Sequence, residues 1–268
     1  MSAAEEWVPI WTSAQVRAAE RPLLDQGVPL MLWAASALAQ VIADELVDRG
    51  VTARLKVDAA FSAGLAPLVG RLLIAAGRGD NGGDALYAAA ALLQWTAARD
   101  VDGDDLAIDL LLTSDSAHAQ ALATAEAAGA RRVELAEAVQ TATEGGYDLV
   151  VDGILGIGTS ADPALRGGAR TAVEALRPAV RAGRTRVIAV DLPSGLQPDD
   201  GTTADDIVLP ASVTVTFGGV KTGLTRGRGP ELAGAIVFVD FDLPFDEPPV
   251  GAAPVAYAVA GRRDDPGD

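Results

Sequence analysis

Three segments of the chain carry acidic, amide or hydroxyl side chains next to glycine or proline. They read Gly-Arg-Gly-Asp-Asn-Gly-Gly-Asp (residues 77–84), Asp-Gly-Ile-Leu-Gly-Ile-Gly-Thr (152–159) and Asp-Leu-Pro-Ser-Gly (191–195). Each lies at the end of a short apolar run that is typical of a buried strand. In open parallel sheets, ligands bind beyond the carboxyl ends of the strands. The three segments therefore predict one binding site at a single edge of a sheet.

The first segment has four glycines within seven residues, and an alanine-rich run follows it. Glycine lets other groups approach the backbone, and the free N–H groups of a helix N-terminus attract anions, so a phosphate contact is expected. Residues 77–82 also match the letters of the dinucleotide fingerprint, which needs an acidic residue about 20 positions further on. Asp115 lies too far along the chain. A plain NAD-dependent oxidoreductase is therefore the weaker interpretation.

Asp152 and Asp191 lie at the ends of predicted buried strands, where a carboxylate is costly unless it is paired, hydrogen-bonded or bound to a cation. Either residue could instead cap a helix. Ser194 is not in a Gly-x-Ser-x-Gly elbow, and the single histidine, His118, lies on a predicted helix far away in the sequence. A Ser-His-Asp hydrolase is therefore disfavoured, and Ser194 is interpreted as an oxygen ligand or a hydrogen-bond partner.

Lys221 is one of two lysines in the chain, and it follows a predicted strand and a Gly-Gly turn. In a protein that otherwise uses arginine, such a lysine could donate a proton or contact a substrate as a point charge. A solvated loop lysine is an equally good interpretation.

Composition narrows the classes of function. The 268 residues can bury a large core, and 37 acidic against 21 basic residues give a net charge of -16. This charge argues against nucleic-acid binding, so backbone N–H groups would have to hold an anionic substrate. The absence of cysteine excludes disulfides and thiolate catalysis. An acidic N-terminus and an apolar stretch (28–43) shorter than the roughly 20 residues of a membrane span predict a cytoplasmic protein that does not bind membranes.

Strands and helices alternate after two predicted opening helices at 12–26 and 30–49. Further strands are predicted at 72–76, 107–113, 132–135, 149–155, 186–191, 212–217 and 235–239, and further helices at 84–99, 116–128 and 170–181. Continuous apolar strands are typical of sheets covered on both faces. The pattern predicts an α/β protein, a three-layer α/β/α sandwich with a mostly parallel central sheet. Residues 1–243 would form this domain, and residues 244–268 a disordered tail rich in proline and acidic residues.

These segments, with Thr-Val-Thr-Phe (214–217) and Lys-Thr-Gly-Leu (221–224), closely resemble in order and spacing the NAD(P)H-hydrate epimerases, the YjeF N-terminal domain family. The resemblance covers residues 10–243. It implies a Rossmann-like fold and interconversion of the R and S forms of hydrated NADH and NADPH, whose hydroxyl is on carbon 6 of the nicotinamide ring. It also implies a bound potassium ion (K+), a homodimer, and a separate NAD(P)H-hydrate dehydratase as functional partner.

The resemblance also implies roles for individual residues. The substrate would contact Asp80, Asn81, Gly82, Gly83 and Asp84. Its phosphates would lie on the backbone N–H groups of Gly156, Ile157, Gly158, Thr159, Ser160, Ala161 and Asp162. Potassium would be ligated by Asn81, Asp152 and Ser194. Asp191 would face the nicotinamide, and we expect it to move the proton, with Lys221 as the second candidate.

The chain departs from the family pattern at three positions. Asp80 replaces an asparagine, Ala85 a glycine and Leu32 a glutamate. These departures favour the alternative that the chain is a non-catalytic binding or scaffold module of the same fold. The oxygen-bearing residues listed above as potassium ligands, together with Asp191, favour the enzyme, because a scaffold needs none of them.

Overall fold

The computed structural model describes residues 6–48, 68–98, 105–158 and 162–261. In chain order, the strands are β1 (Glu6–Trp11), β2 (Val69–Ala76), β3 (Asp105–Leu112), β4 (Arg131–Arg132), β5 (Leu149–Gly153), β6 (Arg186–Val190), β7 (Val213–Phe217), β8 (Val220–Lys221), β9 (Ala235–Asp240), β10 (Gly251–Val255) and β11 (Tyr257–Ala260). The helices are α1 (Ser13–Asp25), α2 (Leu30–Asp48), α3 (Asp80–Ala98), α4 (Ala119–Ala127), α5 (Leu135–Thr143), α6 (Gly167–Arg181) and α7 (Gly229–Leu232).

Eight strands form one sheet in the order β11-β9-β7-β6-β5-β2-β3-β4. Every neighbouring pair in it is parallel. The chain runs outward from β2 through β3 to β4 and then returns to β5 on the other side of β2. This reversal creates a crevice between the carboxyl ends of β2 and β5.

Alternate residues of the strands point to opposite faces of the sheet. Leu72 and Ile74 of β2 belong to a core cluster with α2, α3 and α4. Leu73 and Ala75 belong to a second cluster with α5 and α6. Both faces are therefore covered, and the prediction of a three-layer sandwich with a parallel sheet is confirmed.

Helix α2 belongs to the core. By length and composition alone, its 18 residues Leu30–Val47 could cross a membrane, and they extend beyond the apolar stretch 28–43 that the sequence analysis considered. However, Leu38 and Ile42 are fully buried in the cluster that α2 forms with α3 and the sheet. The apolar character of α2 is explained by this packing.

The glycine-rich segment is less of a loop than its composition suggests. Helix α3 begins at Asp80, whereas the sequence predicted residue 84. A Cβ atom on Gly82 would lie 2.1 Å from the carbonyl oxygen of Gly77, so close backbone approach requires glycine there. Helix α5 was missed, and the predicted strand at 132–135 is shortened to β4.

A second, three-stranded sheet has the order β10-β1-β8 and was not predicted. Strand β1 pairs with β10 antiparallel, with Glu6 opposite Val255, and with β8 parallel. Together with β11 in the main sheet, β10 shows that the prediction of a disordered tail is wrong for residues 251–260. Pro254 is tolerated because β10 is an edge strand. Residues 262–268 lie outside the described part of the chain.

Candidate active site

The three segments predicted to form one site do meet, at the carboxyl ends of β2, β5 and β6, which are neighbours in the sheet. A cavity of about 1220 Å³ opens there. Its walls include Asp80, Asp84, Asp191 and Lys221. This volume exceeds the roughly 300–1,000 Å³ of a typical small-molecule pocket, so it can hold a molecule of dinucleotide size.

Asp191 follows β6 and has a left-handed backbone conformation, with φ of 69°. This conformation is uncommon outside glycine and clusters at functional sites. The N–H group of Asp191 donates to the Val215 carbonyl over 2.7 Å. Its Oδ1 atom accepts hydrogen bonds from the Thr216 hydroxyl, at 3.1 Å, and from the Lys221 ammonium. Oδ2 receives no hydrogen bond from the described residues, so this oxygen is left for a ligand.

Lys221 is buried at 1 % exposure, so the interpretation as a solvated loop lysine is wrong. It lies on β8, whose pairing with β1 fixes its position. Its ammonium forms a buried ion pair with Asp191 and also donates to the Phe217 carbonyl over 2.8 Å. A weaker contact of 3.4 Å reaches the Thr216 hydroxyl. The structure therefore makes Lys221 the partner that holds Asp191 in place.

Asp152, at the end of β5, is fully buried. Its Oδ1 accepts from the Ser194 hydroxyl over 2.6 Å, and its Oδ2 accepts from the Ser194 N–H over 2.9 Å. The Ser194 hydroxyl oxygen in turn accepts from the Leu155 N–H at 2.9 Å. Burial raises the pKa of Asp152, while the hydrogen bonds from Ser194 and Ile154 lower it. This carboxyl therefore ties the second and third segments together.

Asn81, in the first turn of α3, brings the first segment into the same network. Its side-chain amide donates to the carbonyl oxygens of Leu155, over 3.2 Å, and of Val190. A Cβ atom on Gly156 would lie 2.2 Å from the Asn81 Oδ1 atom, so glycine is required where the second segment passes this side chain. The three predicted potassium ligands are thus brought together around Leu155.

The predicted phosphate loop is described only in part, because Thr159, Ser160 and Ala161 lie outside the described residues. Gly156, Ile157 and Gly158 line the cavity. The Ile157 carbonyl accepts a hydrogen bond from Arg17 of α1, 2.5 Å away. Asp162 forms an ion pair with Arg166, just before α6.

Two carboxyl groups in the cavity have perturbed pKa values that the sequence did not reveal. Burial raises the pKa of Asp84 well above its usual range, and nearby Asp191, Asp80 and Glu20 raise it further. Burial is also the main cause of the raised pKa of Glu20 on α1. One feature of the sequence could have indicated Glu20. It lies one helical turn after Val16, which is buried, and therefore on the same face of α1.

Residues 28–223 match the family described as "YjeF-related protein N-terminus". The chain is 49% identical over 238 residues to the NAD(P)H-hydrate epimerase of Microbacterium testaceum, covering 89% of this chain and 80% of that protein. It is 43% identical over 251 residues to the enzyme of the same name from Clavibacter sepedonicus, covering 92% and 95%.

A longer relative is the bifunctional NAD(P)H-hydrate repair enzyme Nnr of Mycobacterium tuberculosis. It is 37% identical over 260 residues, which cover 93% of this chain and 46% of Nnr. The fold matches the crystal structure of the yeast protein ynu0 with a TM-score of 0.64 and 17% sequence identity, over 91% of this chain and 96% of that one. With a family match over most of its length, the chain belongs to the YjeF-related N-terminal family.

Proposed function

We propose that this protein is an NAD(P)H-hydrate epimerase, an isomerase that interconverts the R and S forms of hydrated NADH and NADPH in nicotinamide cofactor repair. The observation that carries the proposal is Asp191, a buried carboxylate with one oxygen bound to Lys221 and the other unpartnered among the described residues. It lies in a cavity of dinucleotide size. The epimerase relatives from Microbacterium and Clavibacter support the same activity.

The reaction needs a proton to move onto and off the hydroxyl on carbon 6. A carboxylate placed beside the reacting carbon can carry that proton as a general acid and base. Lys221 would hold the Asp191 side chain through its ion pair with Oδ1, and the left-handed backbone would direct Oδ2 at the ring. Lys221 therefore acts as a positioning residue, and Asp191 is the proposed proton carrier.

The substrate would enter along residues 80–84 and place its phosphates against the loop 156–162. Arg78 and Arg166 line the same cavity and supply positive charge. The free N–H groups at the start of α3 also favour an anion. Asp80 opposes this, so its extra negative charge is expected to weaken substrate binding without abolishing it.

Potassium fits the Asn81, Asp152 and Ser194 cluster. Asp152 is a buried carboxyl that has no basic partner among the described residues, an arrangement that a nearby cation would relieve. The remaining donors are neutral oxygens, which suit a weakly charged hard cation. The described residues contain no group of three or more His, Cys, Asp or Glu side chains that could hold a metal ion. Asn81 would present its Oδ1 atom after its amide group turns over. When bound, potassium would neutralise the charge of Asp152.

The activity is tested with a mixture of R and S hydrated NADPH and a dehydratase that consumes only the S form. Adding the protein should let the whole mixture be consumed. The matched Asp191→Asn protein should be slower by roughly 10²–10⁴-fold, the usual contribution of general acid–base catalysis. R hydrate that persists with the unmodified protein would contradict the proposal and favour the scaffold alternative.

Potassium is tested separately, by melting temperature as well as by activity. Replacing K+ with a bulky organic cation should lower the melting temperature, because a ligand that binds only the folded state stabilises it. Asp152→Asn should lose this dependence. An unchanged melting temperature in the unmodified protein would remove potassium from the site.

The setting of the enzyme is also part of the proposal. A separate NAD(P)H-hydrate dehydratase would remove the S form, as the bifunctional name of the Mycobacterium relative suggests. We further propose a cytoplasmic homodimer that binds neither nucleic acid nor membranes.

A further inference from the structure

Asp84 is a buried acidic side chain without a hydrogen-bond partner among the described residues. It lies near the start of α3, is 7 % exposed and lines the cavity. Buried polar groups in folded proteins almost always have partners, so an unpartnered one in a cavity points to a missing ligand.

Other acidic groups line the same cavity as Asp84. They are Glu20 of α1, Asp80 at the start of α3 and Asp191 at the end of β6. Lys221 lowers the pKa of Asp84, but its ammonium is already bound to Asp191 and to the Phe217 carbonyl. Arg78 and Arg166 also line the cavity, and neither forms an ion pair with Asp84. Burial is the largest cause of the raised pKa of Asp84, followed by these three carboxyl groups. Asp84 therefore keeps its proton to a higher pH than an ordinary aspartate does.

Two further titratable groups lie on elements packed around the start of α3. His118 lies near Gly83, but its Nδ1 accepts the Ala121 N–H in the cap of α4. Asp152 on β5 has both oxygens bound by Ser194. Neither is free in the way that Asp84 is. Glu20 also has a pKa raised by burial, but it is only half-buried, so Asp84 is the better shielded proton donor in the cavity.

We propose that Asp84 is a second catalytic residue, the carboxylic acid that protonates the departing hydroxyl while Asp191 accepts a proton from the returning water. This proposal rests on the proposed epimerase function. The two carboxyl groups differ because Asp191 forms a buried ion pair with Lys221, whereas Asp84 forms none with the described residues. Such unequal environments separate an acid from a base at one site.

The Asp84 proton passes to the hydroxyl oxygen, the C6–O bond breaks with its electron pair leaving on water, and the ring nitrogen lone pair forms a C6=N1 iminium. Water then adds to the opposite face of C6 and gives one proton to Asp191, which restores a neutral carbinolamine. Asp84 regains and Asp191 loses a proton by exchange with solvent. Microscopic reversibility exchanges the two roles in the other direction.

The test compares Asp84→Asn with the unmodified protein in the hydrate assay. Asparagine keeps the shape but carries no transferable proton, so kcat should fall by roughly 10²–10⁴-fold with little change in KM. In the unmodified protein, kcat should also fall at high pH as Asp84 ionises, and this limb should vanish in the residual activity of Asp84→Asn. Asp84→Glu should exceed Asp84→Asn by at least about tenfold, because it retains a carboxyl group.

Asp109→Asn is the matched control, because Asp109 is also buried but is not among the residues that line the cavity. The kcat of this variant per folded molecule should not change. Asp84→Asn that keeps kcat within about threefold of the unmodified protein would overturn the proposal. So would equal activities of the Asn and Glu variants, or an unchanged high-pH limb. An unmodified protein that leaves the R form standing would overturn the epimerase function and this proposal with it.

Discussion

Asp109 and Asp84 are both buried acidic side chains, yet their surroundings are opposite. Asp109, in β3, accepts hydrogen bonds from Arg71 at 2.7 Å and Tyr147 at 2.8 Å, and forms an ion pair with Arg131 at 3.0 Å. Asp84 has no hydrogen bond from the described residues and shares the cavity with other carboxyl groups. The hydrogen bonds of the Asp109 carboxyl group are made within the fold, whereas the Asp84 carboxyl group has none from the described residues.

The difference distinguishes a carboxyl group that stabilises the fold from one that is available to a ligand. Burial, and then the hydrogen bond to Asp109, raises the pKa of Tyr147, so the phenol stays neutral and donates. None of the four residues in this Asp109 cluster is among the described residues that line the cavity. A buried acid with all its partners holds strands together, whereas one without partners marks the place where a substrate completes the site.

Of the variants that test this contrast, Lys221→Met should have the largest effect on the free energy of unfolding. The substitution leaves Asp191 buried without its cation, and breaking such a pair costs about 3–5 kcal/mol of unfolding free energy. Urea unfolding measures this cost. The double variant Asp191→Asn/Lys221→Met should be less destabilised than Lys221→Met alone, because no unpaired charge remains. A loss below about 1 kcal/mol would mean that the ion pair does not hold the site.

Asp109→Asn should have a smaller effect, and on stability only. It weakens charged hydrogen bonds from Arg71 and Arg131, whose side chains are partly exposed, so we expect a loss of roughly 2 kcal/mol. Chemical denaturation gives the loss, and the hydrate assay on folded protein gives the activity. A reduced kcat would show that the Asp109 cluster and the cavity are not independent.

The smallest effect should be the pH dependence of stability that Asp84 contributes. Its folded pKa lies well above the ordinary 3.8, so the unfolded chain ionises first as pH rises. The unmodified protein should therefore lose stability relative to Asp84→Asn from about pH 4 upward, by roughly 1 kcal/mol between pH 4 and pH 5. Urea midpoints of both proteins at each pH measure the difference. Parallel curves would mean that Asp84 has an ordinary pKa in the fold.

Much of the fold could be predicted from local sequence. Continuous apolar runs such as Leu149–Gly153 indicate strands buried on both faces, and glycine and proline mark where they end. The three polar segments were found because each lies at such an end. Their convergence then follows from the parallel order of the sheet.

What could not be predicted depends on contacts between distant residues. Strand β1 contains Pro9 and β10 contains Pro254, and both look like breakers until the two strands pair. Lys221 could not be told from a surface lysine, because its burial comes from β1 and from the Asp191 loop. The surroundings of Asp84 likewise could not be predicted, because they are formed by α1, α3 and the end of β6 together.

The three-stranded sheet also sets the time at which the site can form. Lys221 pairs through β8 with Trp11 of β1, and β1 is covered on its other side by β10. The position of Lys221, which binds Asp191, thus depends on strands near residue 10, residue 220 and residue 255. During synthesis the parallel sheet can assemble up to β9 before β10 has been made, when the three-stranded sheet is still incomplete. We therefore expect the ion pair between Lys221 and Asp191 to form late, after β10 has been made and has paired with β1.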